Sequence, residues 1–228
     1  KNQTETFDTV IVGAGIAGLR CGLILQSNGI NVTIFDKEND VGGRMRTSTI
    51  DGFQIDYGFH VMQTAYAEAS NCFDFGALGC KAFKPGAKII DVSDGKIRTK
   101  LMADPWRNPI QGIFSAFNRF LSFGDLIKIA SLRRRVLKGP LDGLFDGDDG
   151  TTMDYLRKRK ISDKAINSFF LPLFSGIFLE SELRTSERLF RFIFRMMAKG
   201  KMVLPKDGIQ AAPLAMAEEF GRDNIRLG

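Results

Sequence analysis

Two spacings of apolar residues predict the first elements of the chain. The segment DTVIVGAG is a short β-branched apolar run that ends in glycines, which is typical of a buried strand and a tight turn. The next segment, IAGLRCGLILQSNG, has helical spacing and ends at Gly29, a helix stop signal. A second β-branched run, INVTIFDK, follows it. The pattern predicts a strand, a glycine turn, a helix and a second strand.

Residues 101–200 have helical rather than strand spacing. An early helix is expected to carry aromatic and aliphatic residues near one face, and a later helix a row of basic residues. These residues are Phe114, Phe117, Phe120 or Leu121 in the first helix, and Arg188, Arg191, Arg195 and Lys199 in the second. Of the 20 phenylalanines, 13 follow residue 100, and such stripes either form a core or line an apolar pocket. The segment DGDDG lacks calcium-loop spacing and predicts a turn before a helix capped by Thr151 or Thr152.

Composition is that of a globular protein, with 228 residues, 44% hydrophobic and 25% charged. The net charge of +6 is uneven, because residues 1–100 hold 11 Lys and Arg against 11 Asp and Glu, whereas residues 101–228 hold 21 against 15. The basic runs at 133–135 and 157–160 are either solvated helix faces or a surface for an anionic membrane or an acidic partner. Nothing resembles a nucleic-acid-binding module, so nucleic acid is not an expected partner.

Cysteine and histidine usage limits metal and redox chemistry. The three cysteines include no C-x-x-C pair and there is one histidine, so no zinc site is predicted and the thiols suit a reducing compartment. No apolar run reaches the ~20 residues of a membrane helix, so we do not expect a transmembrane protein.

The first glycine turn has the spacing G-x-G-x-x-G at Gly13, Gly15 and Gly18. Between a strand and a helix, this turn places a pyrophosphate against the N–H groups of the helix start, which also involves Ala14, Ile16 and Ala17. Asp36 ends the second strand, where an acid accepts hydrogen bonds from ribose hydroxyls and repels a 2′-phosphate. These residues favour FAD or NAD over NADP, although the neighbouring Lys37 weakens the exclusion of NADP.

A second glycine turn follows in DKENDVGGRMRT. The segment resembles the FAD-dependent amine oxidase and phytoene desaturase superfamily, whose acid, G-G-R and threonine correspond here to Asp36, Gly42, Gly43, Arg44 and Thr47. The resemblance implies FAD as the cofactor. A glycine turn allows close backbone approach, and a fixed guanidinium suits a diphosphate or the edge of a flavin. We interpret the two turns as serving the two ends of the dinucleotide.

A third motif lies in DGFQIDYGFHVM. Asp56, Gly58, Phe59, His60 and Val61 resemble the superfamily hairpin that runs along the isoalloxazine ring. His60 either donates to the flavin or lines the substrate side, or it is a loop histidine bonded to backbone. The sequence identifies no catalytic residue.

The resemblance covers essentially the whole chain, with the flavin motifs most specific, and later segments such as ADPWRNP and MVLPKDGIQAAPLAMAEEF resemble a subgroup found in cyanobacteria and plastids. It implies an α/β fold with a Rossmann-like, glutathione-reductase-type FAD-binding parallel sheet and a helical insert in the substrate domain. The expected domains are residues 1–100 for FAD binding, 101–200 for the helical, Phe-rich insert, and 201–228 for the return to the FAD-binding domain. We expect the fold to be incomplete, with the chain stopping where the next strand should begin.

The resemblance implies hydride transfer to FAD and does not supply a substrate. A helical, Phe-rich insert over the flavin would suit an apolar substrate, such as an isoprenoid, carotenoid or tetrapyrrole. The alternative is a non-catalytic flavin-fold subunit, docked through its basic half on a larger complex such as a photosynthetic one, or completed by a partner. The expected location is a reducing compartment, either a plastid, in the stroma or associated with the thylakoid, or the cytoplasm, and the sequence carries no targeting signal that decides between them.

Overall fold

The computed structural model describes residues 6–58, 60–93, 95–103, 107 and 121–228. It divides the chain into two compact units, one of Lys1–Phe83 with Met202–Gly228 and one of Lys84–Lys201. The second unit is therefore an insertion between two segments of the first. The divisions that the sequence predicts near residues 100 and 200, and the roles assigned to the domains, stay predictions.

The first unit contains three small sheets and three α-helices among its described residues. The elements are β1 (Thr9–Val12), α1 (Ile16–Ser27), β2 (Val32–Asp36), β3 (Thr47–Ile50), β4 (Phe53–Asp56), β5 (Met62–Gln63), α2 (Ala67–Cys72), β6 (Lys81–Ala82), β9 (Met202–Leu204), α8 (Ala211–Phe220) and β10 (Ile225–Leu227). The sheets are a parallel one in the order β1-β2-β10, the hairpin β3-β4, and an antiparallel one in the order β5-β9-β6.

Helices α1 and α8 cover one face of the parallel sheet. Ile34 of β2 and Leu19 of α1 are fully buried in this core. A Cβ at Gly22 would lie 2.7 Å from the ring of Phe220, so glycine at this position allows the two helices to approach closely. On the other face, Val12 is 88% exposed. The predicted strand, helix and strand are confirmed.

The strand expected just beyond Gly228 already lies inside the chain. Ile225–Leu227 pairs in parallel with β2, with Ile225 opposite Ile34. The prediction that the chain ends before this strand is therefore wrong, because a three-residue strand carries too little periodicity to be recognised from sequence.

The second unit is one hairpin followed by helices. Its elements are β7 (Gly86–Ser93), β8 (Lys96–Ala103), α3 (Phe123–Leu137), α4 (Thr152–Lys158), α5 (Asp163–Ala165), a π-helical segment (Ile166–Phe170), α6 (Leu171–Phe178) and α7 (Glu187–Lys199). Thr151 caps α4 by accepting from the Asp154 N–H at 3.0 Å, which decides between the two predicted caps.

An aromatic core holds the helices of the second unit together. Phe170, Phe174, Phe190 and Phe194 are buried, and the closest ring centroids, those of Phe174 and Phe190, lie 4.7 Å apart. These phenylalanines therefore form core rather than line a pocket. The predicted stripe at Phe114, Phe117 and Phe120 lies outside the described residues.

Arg195 does not lie on a solvent-exposed basic face of its helix. It is buried, and its guanidinium donates to the carbonyls of Gly139 at 2.8 Å and Pro140 at 3.1 Å. It therefore holds the loop that follows α3.

Within the described residues, no helix is long and apolar enough to cross a membrane. The same residues bring together no group of three or more His, Cys, Asp or Glu side chains that could hold a metal ion.

Candidate functional site

The first glycine turn joins β1 to α1 and is bonded to β2. Gly13 has a φ of +107°, which favours glycine, and its N–H donates to the Phe35 carbonyl at 2.7 Å. A Cβ at Gly18 would lie 1.9 Å from the carbonyl oxygen of Gly13, so this glycine lets the helix reach the turn. The fold itself therefore requires glycine at both positions.

Gly15 has a different explanation. Its φ of −75° and ψ of 175° are extended values open to any residue, and a Cβ there would meet nothing within 4 Å. Gly15 caps α1 without a side-chain hydrogen bond, and first-turn N–H groups, here those of Ile16, Ala17 and Gly18, have no acceptor within a helix. Packing does not explain glycine here, whereas the close approach of an anionic ligand does.

The second glycine turn lies directly against the first. The N–H of Gly42 donates to the Ala14 carbonyl at 2.9 Å, and a Cβ at Gly43 would lie 3.5 Å from the Cα of Gly15. Both Gly42 and Gly43 have positive φ, +114° and +57°. The two turns are therefore in contact with each other, and their assignment to the two ends of the dinucleotide stays a prediction.

Asp36 connects the end of β2 to the first turn. Its carboxylate accepts from the N–H of Ala14 at 2.6 Å and of Glu38 at 2.9 Å. The Glu38 hydrogen bond, the Ala14 hydrogen bond and the nearby Arg46 hold the pKa of Asp36 below its ordinary value, although burial opposes them. Asp36 is therefore a fixed anion, and a carboxylate with two bonds retains lone pairs for a ribose diol.

Two arginines follow the second turn and differ in their contacts. Arg44 is exposed and has no hydrogen bond or ion pair with the residues that the structure describes. Arg46 pairs with Glu38 at 2.9 Å, and this hydrogen bond raises the pKa of Arg46. Arg44 is thus the cation available to a ligand, whereas Arg46 and Glu38 brace the loop after β2. The sequence had not pointed to that pair.

Gln210, at the start of α8, fastens the second turn and was not predicted. Its side chain accepts from the Thr47 N–H at 3.0 Å and donates to Asp40 at 2.8 Å and to the Val41 carbonyl at 3.2 Å. Its own N–H donates to the Thr47 hydroxyl at 3.1 Å. A buried side chain with these partners fixes the loop on which Gly42 and Gly43 lie.

The third motif is partly structural. Asp56 accepts from the Thr47 hydroxyl at 2.6 Å and from the Ile209 N–H at 3.0 Å, so it joins the hairpin to the same network. His60 Nε2 lies 3.0 Å from the Tyr57 carbonyl, which corresponds to the backbone-bonded loop histidine of the two alternatives. Gly58 has a φ of +112°, Val61 is half-buried just before β5, and Phe59 lies outside the described residues.

A shallow concavity of about 460 Å³ lies beside Asp36 at the carboxyl ends of the parallel strands. It is lined by Val12, Phe35, Asp36, Lys37, Arg226 and Gly228. Lys37 and Arg226 place positive charge next to the acid, and Arg226 is a lining residue that the sequence had not indicated.

The structure brings most of the predicted residues into one site. The second turn and the Asp36 carboxylate both bond to the backbone of Ala14 in the first turn, which leads into α1, and Lys37 follows Asp36 at the edge of the site. The third motif reaches them through Thr47 and Asp56. A parallel sheet, a glycine turn at a helix start and an acid at the end of the second strand define a Rossmann-type dinucleotide-binding fold.

Comparison with known proteins identifies the family. Residues 16–228 match the family described as flavin containing amine oxidoreductase, and the chain belongs to that family. The chain is similar over 98% of its length to cyclohexylamine oxidase from Brevibacterium oxydans IH-35A, with a TM-score of 0.66 and 19% identity. It is similar over 99% to a putrescine oxidase bound to putrescine, with a TM-score of 0.59 and 21% identity. The predicted fold class and flavin cofactor are confirmed.

Curated relatives match mainly over short segments. The chain is 47% identical to hydroxyneurosporene desaturase of Rubrivivax gelatinosus over 54 residues, 24% of this chain and 10% of that protein. It is 38% identical to protoporphyrinogen oxidase 2, chloroplastic/mitochondrial, of Arabidopsis thaliana over 64 residues, 28% of this chain and 13% of that protein. The chain spans 51% of both solved oxidases.

Proposed function

We propose that the protein carrying this chain is an FAD-dependent oxidoreductase that takes a hydride from an apolar substrate. The observation that carries the proposal is Gly15, whose backbone angles are open to any residue and where an added Cβ would meet nothing within 4 Å, so that a ligand can approach the backbone there. The second glycine turn, bonded to the first through Gly42 and Ala14, adds a further stretch of backbone that a ligand can approach.

Each proposed binding residue has a physical role toward FAD. The N–H groups at the start of α1 bind the diphosphate, and Arg44 supplies a cation to it. Asp36, held anionic by two backbone N–H groups, accepts from the ribose hydroxyls. Lys37 and Arg226 line the concavity beside the ribose. Gly58, Phe59, His60 and Val61 follow the hairpin that Asp56 fixes, and we assign them to the flavin ring.

The bound flavin supplies the hydride acceptor, and the protein supplies orientation and exclusion of water. In this proposal the first unit holds the cofactor and the helical unit belongs to the substrate domain. An apolar substrate is supported by the names of the relatives, which include hydroxyneurosporene desaturase, 4,4′-diapophytoene desaturase and protoporphyrinogen oxidase.

A reducing compartment, plastid or cytoplasm, is part of the proposal. Cys21, Cys72 and Cys80 are free thiols in the structure. The plastid is favoured by the Arabidopsis relative, whose name places that protein in chloroplasts or mitochondria.

The non-catalytic alternative is favoured by the basic helical unit, which suits docking on a larger complex. The two functions differ in whether the flavin is reduced by substrate. The test is the visible spectrum of the purified full-length protein, followed by anaerobic addition of carotenoid precursors, porphyrinogens and amines. We expect near-stoichiometric FAD and bleaching by one of these classes. Absence of flavin would contradict FAD binding, and bound flavin that none of them reduces would favour the non-catalytic subunit.

A further inference from the structure

Helix α3 carries an outward row that the proposed function does not use. Phe123, Ile127, Ser131 and Arg134 are exposed and follow one another at helical spacing along one side, and the exposed Lys138 lies at the C-cap directly after the helix. The opposite side contributes Leu132 and Val136 to the aromatic core. The helix therefore has two distinct faces, and the outward face is apolar at its start and basic at its end.

The orientation of this face is fixed from inside the unit. Asp125, which is 1% exposed, accepts from the hydroxyls of Ser122 at 2.6 Å and Ser162 at 2.8 Å and from the Ser162 N–H at 3.1 Å. These bonds join the start of α3 to the start of α5. Because α3 cannot rotate without breaking them, Phe123 at 78% and Ile127 at 55% exposure are held in solvent.

Basic residues are concentrated in the same unit. Residues 84–201 contain 23 Lys and Arg against 13 Asp and Glu, a net charge of +10, whereas the rest of the chain has 9 against 13, a net charge of −4. A groove of about 610 Å³ runs along the basic end of α3 between Ala130 and Lys138. The ammonium of Lys128 donates to the Lys160 carbonyl, which brings the basic run 157–160 beside the helix.

Arg191, another basic residue of this unit, is less suited to docking. Its side chain is 17% exposed and lies 3.9 Å from Glu187, and its guanidinium packs over the Tyr155 ring. Helix α3 carries two exposed arginines, Arg134 and Arg135, whereas Lys199 is the one exposed basic residue of α7.

We propose that the outward face of α3 binds the surface of an anionic lipid bilayer. Phe123 and Ile127 enter the headgroup region, while Arg134 and Lys138 bind lipid phosphates. Binding to a membrane interface strengthens with the apolar area that enters the headgroup and acyl boundary and with the attraction of Lys and Arg to anionic lipids. The charge of the unit complements an anionic membrane, whose attraction is about fivefold in affinity for each Lys or Arg near the surface.

The test is co-sedimentation of the flavin-loaded full-length protein with vesicles of phosphatidylcholine alone and of phosphatidylcholine with phosphatidylglycerol. Arg134→Glu combined with Lys138→Glu tests the basic end, and Phe123→Ser combined with Ile127→Ser tests the apolar end. Lys96→Glu combined with Arg98→Glu is the matched control, because both residues are exposed in the same unit and the net charge changes equally. Flavin content is measured on every sample, so that misfolding and loss of cofactor are seen separately.

We expect the wild type to bind only the anionic vesicles and the Arg134/Lys138 variant to bind about 25-fold more weakly or worse. The Phe123/Ile127 variant should also bind more weakly, and the Lys96/Arg98 control should stay within about fivefold of the wild type. The proposal would be overturned if the wild type bound both kinds of vesicle equally or bound neither. It would also be overturned if the Lys96/Arg98 control lost as much affinity as the Arg134/Lys138 variant. Binding of the wild type to polyglutamate but not to anionic vesicles would overturn it in favour of an acidic protein partner.

Discussion

Comparing Gly15 with Gly18 distinguishes a glycine that a ligand requires from a glycine that the fold requires. Both belong to the same fingerprint and both would be replaced by alanine, a change of one methyl group. A Cβ at Gly18 would lie 1.9 Å from the carbonyl oxygen of Gly13, whereas a Cβ at Gly15 would meet nothing within 4 Å. The two variants should therefore fail in different assays.

The expected magnitudes follow from these distances. Real Cβ contacts are essentially never shorter than 3.0 Å, so Gly18→Ala forces backbone atoms apart by about 1 Å, and overpacking of this kind costs about 3 kcal/mol or more. Gly15→Ala should raise the free energy of unfolding by about 0.4–1 kcal/mol, because alanine restricts the unfolded chain. It should lower it by a similar amount, because alanine is a poorer N-cap than glycine, so the net change should be within about 1 kcal/mol. Its methyl group occupies the space proposed for the diphosphate, so FAD binding should weaken by about tenfold or more, which is about 1.4 kcal/mol.

The assays are urea unfolding of the apoprotein and fluorescence titration with FAD, both on the full-length protein. We expect Gly15→Ala to unfold like the wild type and to bind FAD poorly, and Gly18→Ala to unfold at lower urea. Wild-type FAD affinity in Gly15→Ala would refute the assignment of the diphosphate to this turn. Equal destabilisation by both changes would show that the fold, and not a ligand, requires Gly15.

Two further predictions concern the residues that support the turns. Gln210→Ala should destabilise the apoprotein by about 3 kcal/mol, because it leaves buried partners such as the Thr47 N–H unpaired. Gln26→Ala, which removes a single hydrogen bond to the Phe220 carbonyl, should cost about 1 kcal/mol in the same urea titration; equal effects would argue against the network. The pKa of Asp36 in the folded protein lies below the ordinary value of 3.8. The ionised Asp36 carboxylate therefore stabilises the fold fully above pH 3.8, and this stabilisation is lost as the pH falls through the folded-state pKa. The difference in unfolding free energy between wild type and Asp36→Asn should then be constant from about pH 7 to pH 5 and shrink below about pH 4, and a difference that grows on acidification would contradict the sign.

The sequence predicted what local spacing encodes. The strand, turn, helix and second strand could be placed because β-branched runs, glycines with positive φ and a helix stop each act within a few residues. The acid at Asp36 and the second glycine pair were found for the same reason. The contact between the two turns was missed, because the hydrogen bond from Gly42 to Ala14 depends on how the loop after β2 folds back.

Contacts between residues that are distant along the chain could not be predicted from the sequence. Gln210 bonds to Thr47 across 163 positions, and Ile209 bonds to Asp56 across 153, and no local pattern indicates either contact. Arg195 belongs to a row of basic residues by spacing, yet it is buried against carbonyls more than 50 positions earlier in the chain. These contacts are decided by tertiary packing, which places polar groups where backbone carbonyls and N–H groups need partners.

The most direct test of the central claim is an experimental structure of the full-length protein with FAD bound. The account predicts the diphosphate at the start of α1, against Gly15 and the adjoining second turn, with the ribose hydroxyls on Asp36. A diphosphate bound away from these two turns, or a ribose that leaves Asp36 bonded only to Ala14 and Glu38, would contradict it.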